Sequence, residues 1–199
     1  MGDKILDWLS GVFTRPAITL KEIAAARPLG WALFIFLGVV LLNAFASSAN
    51  QQTREVLDQF IFTTGFTISI PLMVIGALVT AFLYLVISTG IIHLLARLFK
   101  GTGGYGGMLS AFAFASFPQI ILAPVNVLTG LIGTAGSILG GLVSFGISVW
   151  VLVLQVIAVR ESHRLTTGMA ILVYLIYFLI VVVIPLALII GLAAYFIFA

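Results

Sequence analysis

His93-Leu94-Leu95-Ala96-Arg97-Leu98-Phe99-Lys100-Gly101-Thr102-Gly103-Gly104-Tyr105-Gly106-Gly107 joins two long apolar runs, and its reading decides the fold. Apolar residues reach back from it to about Phe66 and forward from it, through Phe117-Pro118, to about Leu128. Between them lie Arg97, Lys100 and the densest glycine cluster of the chain. A short basic turn between two continuous apolar runs reads as the link between two membrane-spanning helices. Composition agrees. The 199 residues are 62% hydrophobic and 8% charged, whereas soluble domains carry roughly 25% charged residues. Strands of a membrane barrel would alternate apolar and polar over about 10 residues. These runs do not alternate, so helices, which satisfy their own backbone, are expected.

Working outward, spans are expected at 29–48, 66–99, 108–128, 132–159 and 169–198, against the roughly 20 residues that a bilayer core requires. Residues 50–64 carry Arg54, Glu55 and Asp58 and read as the first exposed loop, with a helix as the alternative. Pro71, Gly76 and Gly90 in the second run, and Pro185 in the fifth, are expected to allow kinks or tilt. Residues 1–28 are amphipathic. Ile5, Trp8, Leu9, Val12 and Phe13 share one helical face, with Asp3, Lys4, Asp7 and Ser10 largely off it. Pro16 opens a second short helix, in which Leu20, Ile23 and Ala24 oppose Lys21 and Glu22. This segment is expected to lie in the membrane interface with Trp8 as its anchor. A tail packed on the bundle is the alternative. Ala44-Phe45-Ala46 resembles a cleavage site, but the structured segment before the first run, with its two prolines, is unlike a signal peptide. The fold class is an all-α integral membrane protein: a five-transmembrane-helix bundle with an N-terminal amphipathic interfacial helical segment.

Lys and Arg set the topology. Lys4, Arg15, Lys21 and Arg27 precede span one, Arg97 and Lys100 link spans two and three, and Arg160 and Arg164 link spans four and five. Arg54 alone falls on the other side. The N-terminus is therefore expected in the cytoplasm and the C-terminus outside, in a cell inner (plasma) membrane. Cysteine is absent, which removes disulfides, thiolate metal sites and a cysteine nucleophile. The net charge of +3 needs no nucleic acid to explain it, since the basic residues sit at segment ends.

Span four carries Gly136, Gly140, Ser144 and Ser148 at i, i+4 spacing, beside Gly133, Ser137 and Gly141. Such ridges let helix backbones approach closely, within the chain or in a homodimer. Pro118 and Pro124 interrupt span three, and Ser116, Gln119 and Asn126 flank them as partners for the freed carbonyls. Polar groups at membrane depth mark sites by default. Asn43, Gln119, Asn126 and Gln155 form the candidate intramembrane polar site. His93, Arg97, Lys100, Arg160, Glu161 and His163 form the candidate cytoplasmic-face contact set for lipid or partners. His93 and His163 with Glu161 are a weak metal set, because a site needs three or four convergent ligands. No catalytic, cofactor-binding or metal residue is assigned. The glycine loop is not a nucleotide loop, since no Gly-Lys-Ser/Thr follows it; it reads as a flexible turn, or as an anion nest beside a lipid headgroup.

The order of these features resembles the Yip1 family of membrane proteins. The resemblance rests on Phe13-x-x-Pro16 with Leu20-x-x-Ile23, Arg97-Leu98-Phe99-Lys100-Gly101-Thr102-Gly103, Phe114-Ala115-x-Phe117-Pro118, and Trp150 leading to Arg160-Glu161-x-His163-x-Leu165-x-Thr167. It implies a five-span domain over 29–199 with a cytoplasmic N-terminus. Eukaryotic members are linked to vesicle trafficking and bind Rab-type GTPases and one another. This chain shows neither their long N-terminal region nor their Asp-Leu-Tyr-Gly-Pro motif, so Rab binding is not carried over and a bacterial-type member is implied.

No carboxylate lies at the core of any span, which argues against an ion-coupled pump and leaves no paired acids for acid–base catalysis. The expected function is a non-catalytic scaffold or interaction protein. It engages membrane lipids, a second copy or other membrane proteins, with no cofactor and no nucleic acid. The alternative is a small permease or lipid transporter with a site at the kinked third span.

Overall fold

The computed structural model describes residues 2–49, 51–65 and 69–190. The helices are α1 (Gly2–Thr14), α2 (Pro16–Ala26), α3 (Leu29–Ala49), α4 (Gln51–Thr64), α5 (Ile70–Leu98), α6 (Tyr105–Ala115), α7 (Leu122–Gly130), α8 (Thr134–His163) and α9 (Thr167–Phe178). A 3-10 turn, Phe117–Ile121, joins α6 to α7. A π-turn, Leu179–Val183, carries the α9 helix on to residue 190. The π-turn comes just before Pro185, which has no N–H to give to the preceding turn.

Five segments are long and apolar enough to cross a membrane: Leu29–Ser48, Ile70–Leu98, Tyr105–Gly130, Ala135–His163 and Thr167–Ile190. The chain is therefore an all-α, five-span bundle. Residues 66–68 and 191–198 of the expected second and fifth spans lie outside the described residues. Pro71 makes no kink in α5, because it falls in the first helical turn, where its missing N–H has no intrahelical partner to lose. Gln51–Thr64 of the polar stretch form the helix α4, with Arg54 donating from Nε to the Ser48 carbonyl at the end of α3.

The third span is the axis of the bundle. Every residue from Gly107 to Ser116 is buried, enclosed by α2, α3, α5 and α8. Its sequence explains this. Gly106, Gly107, Ser110, Ala111, Ala113 and Ala115 are small, and small residues let neighbouring backbones come close where lipid supplies no hydrophobic drive. Phe112 and Phe114 fill the space between. A Cβ at Gly107 would lie 2.3 Å from the Ala24 carbonyl oxygen.

The N-terminal helices form an antiparallel hairpin. Gly11 meets Thr19 so closely that a Cβ there would be 2.3 Å from its Oγ1. The Trp8 indole N–H donates to Glu22 at 3.3 Å. The shared apolar face, with Ile5, Trp8, Val12, Leu20 and Ile23, is buried in the same core as α6 and α8. This corrects the reading of Trp8 as an outward membrane anchor: its ring is 5% exposed and sits edge-on to Phe114 at 5.9 Å. The alternative expectation, a segment packed on the bundle, describes this face. Leu6 and Ile18 remain outside it and exposed.

On α8 the small-residue ridge is used within the chain at its start. A Cβ at Gly136 would fall 1.9 Å from the Thr129 carbonyl, and one at Gly140 would lie 3.0 Å from Thr129 Oγ1. α7 therefore packs on α8 across the tight turn at Gly133, whose φ is +65°. Gly141 has open space around it.

Candidate functional site

Two groups of residues stand out, one at the basic end of the bundle and one at its centre. At the basic end, α5 and α8 are brought together through their histidines. His93 Nδ1 lies 2.8 Å from His163 Nε2, and one imidazole donates to the other. His93 also stands edge-on to Tyr105, whose hydroxyl donates to the Val86 carbonyl at 3.0 Å. His163 is 1% exposed, and its Nδ1 has no hydrogen-bond partner in the structure.

The glycine-rich loop crosses the end of α8 at this point. Thr102 N–H donates to the His163 carbonyl at 3.1 Å. A Cβ at Gly101 would lie 2.9 Å from His163 Cβ, and one at Gly103 would lie 2.0 Å from the Ser162 carbonyl oxygen. These glycines are required by close approach, which corrects the expectation of a flexible turn. Gly104 lies under the Arg27 guanidinium, with Nη2 3.2 Å from where its Cβ would be.

Three helices end here in the same unusual way. Arg27 after α2, Lys100 beyond α5 and Arg164 after α8 all have φ between 52° and 63°. Non-glycine residues seldom adopt this left-handed conformation, which costs roughly 1–2 kcal/mol. A cation there interacts favourably with the helix C-terminal dipole, and all three side chains are exposed. Arg97 is exposed as well. Arg160 and Glu161 form an ion pair at 2.7 Å, and Arg160 also donates to Thr167 Oγ1 at 3.2 Å, tying α8 to the start of α9. Glu161 is thus committed to Arg160 rather than to the histidines. Among the described residues no three His, Cys, Asp or Glu side chains converge as a metal set. Sequence reasoning named His93, Arg97, Lys100, Arg160, Glu161 and His163 but missed Arg27 and Arg164, whose mark is their position just beyond a helix end.

The central group is made by the break in span three. α6 packs on α5, whereas α7, after the Pro118 turn, packs between α3 and α8. The space left beneath Ser116 is a cavity of about 350 Å³. Gln119 and Gln155 both line it. Asn43 acts beside it: its Nδ2 donates to the Gln119 carbonyl at 3.0 Å and to the Val39 carbonyl at 2.9 Å. It thereby supplies the interhelical partner that a broken helix requires. Ser116 Oγ donates to the Phe112 carbonyl at 3.1 Å. Asn126 lies further along α7 and is not part of the lining. Tyr84 and Tyr174, which do line it, were not singled out from sequence; a phenol within an apolar span was the available signal. The Tyr174 hydroxyl donates to Gln155 Oε1.

Five spans, a broken and buried third helix and a basic face at one end define a multi-pass membrane protein. The family model for the Yip1 domain matches residues 10–190, and the chain belongs to the Yip1 family. No curated protein and no solved structure matches the chain.

Proposed function

We propose that this Yip1-family protein is a non-catalytic scaffold of the inner (plasma) membrane. In this reading its basic end faces the cytoplasm and engages anionic lipid headgroups and partner proteins. The observation that carries it is the trio Arg27, Lys100 and Arg164, held in left-handed conformations on three different helices around one loop. Glycine is the usual residue at such helix ends, and a basic residue there accepts strain in return for an outward charge. Each basic residue near an anionic membrane surface contributes about 1 kcal/mol of attraction. Arg97, in the last turn of α5, is also exposed and adds to the same charge. The positive-inside bias supplies the orientation.

The test replaces the trio by glycine, which relieves the backbone while removing the charge. In nanodiscs of mixed phosphatidylcholine and phosphatidylglycerol, the native chain should enrich phosphatidylglycerol around itself. R27G/K100G/R164G should lose that enrichment without losing folded protein. Photo-crosslinking from position 100 in native membranes should yield discrete adducts. An unaltered lipid preference in the triple variant, together with recovery of monomer alone, would sink the proposal.

A further inference from the structure

The cavity beneath the broken span has two features that together specify an occupant. The first is its lining. Tyr84, Ser116, Gln119, Ser148, Gln155 and Tyr174 supply hydroxyls and amides, and among the described residues no Asp, Glu, Lys, Arg or His lines it. Several of these groups keep capacity to bond. Ser116 and Ser148 spend their protons on backbone carbonyls, leaving oxygen lone pairs. Gln155 accepts from Tyr174 through Oε1, leaving its amide protons. No hydrogen bond among the described residues uses the Gln119 side-chain amide. The second feature is a neighbouring groove of about 520 Å³ between α8 and α9, walled by Leu152, Val156, Ile171, Leu175 and Phe178. Leu152 and Tyr174 line both spaces, so the polar chamber and the apolar groove adjoin.

We infer that chamber and groove form one binding site for a neutral acylglycerol lipid, with its uncharged hydroxyl and ester head in the chamber and one acyl chain in the groove. The charge of the head follows from the lining. A phosphate or an ammonium would find no counter-charge in the lining, so an uncharged head is favoured there. A wholly apolar occupant would leave the amides of Gln119 and Gln155 unpaired, and a small water-soluble solute would leave the groove unused. Size agrees. About 520 Å³ of groove and about 350 Å³ of chamber leave room for one acyl chain and a glyceryl ester head.

The site is independent of the basic end, and it is tested separately. The full chain in nanodiscs is exposed to a diacylglycerol bearing a diazirine on one acyl chain, and in parallel to phosphatidylglycerol bearing the same chain. The diacylglycerol should label α8 and α9 peptides around Val156 and Ile171 roughly fivefold more than the phospholipid, as one net hydrogen bond difference gives. Gln155→Leu should abolish that preference. Ser148→Phe fills the chamber while leaving the Gln155–Tyr174 bond, and should abolish it too; it serves alone if Gln155→Leu does not fold. Equal labelling by both probes, as for ordinary surrounding lipid, or a preference that survives Ser148→Phe in folded protein, would overturn the inference.

Discussion

Gly103→Ala tests whether the glycine loop is a packing device. An added Cβ would stand 2.0 Å from the Ser162 carbonyl oxygen, 2.7 Å from the Ser162 carbonyl carbon and 3.1 Å from His163 Cα. All three atoms are backbone, in the last turn of α8, so no side chain can swing aside. The loop must lift by about 1 Å to reach ordinary contact, and Thr102 N–H then loses its bond to the His163 carbonyl. Overpacking of this kind costs about 1–3 kcal/mol, a roughly 5- to 160-fold drop in the folded-to-unfolded ratio. Gly104→Ala is the internal control. Its Cβ meets only the Arg27 guanidinium, at 3.2 Å, the far end of a flexible chain, so the cost should be a fraction of that. Steric-trap unfolding in bicelles measures both. Equal stability of the two variants would refute the close-approach reading and restore the loop to a simple turn.

Asn43→Ala should destabilise by about 0.6 kcal/mol, the average for interhelical hydrogen bonds in membranes, and by at most about 1.7 kcal/mol, because the Gln119 carbonyl loses its partner; the same unfolding assay checks it. His93→Leu leaves the buried His163 without its one side-chain bond and should cost about 1–3 kcal/mol. The double variant with His163→Leu should recover part of that loss in a double-mutant cycle. Brominated lipids should quench the fluorescence of Trp31, which is 42% exposed, and spare Trp8 at 5%. Comparing single-tryptophan variants decides this, and equal quenching would mean that the hairpin does not pack as described.

The spans were legible because hydropathy over about 20 residues leaves few alternatives. The break in the third was legible because Pro118 removes a donor wherever it sits in a helix. Where sequence reasoning erred, one pattern served two physical ends. The face of Trp8, Val12, Leu20 and Ile23 is equally suited to lipid and to protein, and only the docking surface on α6 and α8 decides between them. Dense glycine signals either conformational freedom or contact too close for a Cβ, and Gly101 and Gly103 belong to the second. The His93–His163 pair joins residues 70 positions apart. Nothing local distinguishes it from two unrelated polar residues at helix ends. The chamber is similar: Gln119 and Gln155 were visible as polar residues at depth, but the phenols beside them and the swerve of α7 away from α5 belong to the folded bundle.

The hairpin of α1 and α2 has a consequence for assembly. It is made before the surfaces that cover it, which belong to α6 and α8; α6 begins at Tyr105, well after the hairpin ends at Ala26. Chains emerge from the ribosome N-terminus first at about 5–20 residues per second, so several seconds separate the hairpin from its partners. Through that interval Trp8, Val12, Leu20 and Ile23 have no protein to meet, and an amphipathic helix in that position rests on the bilayer surface. An interfacial position for this apolar face fits that interval, before α6 and α8 cover it.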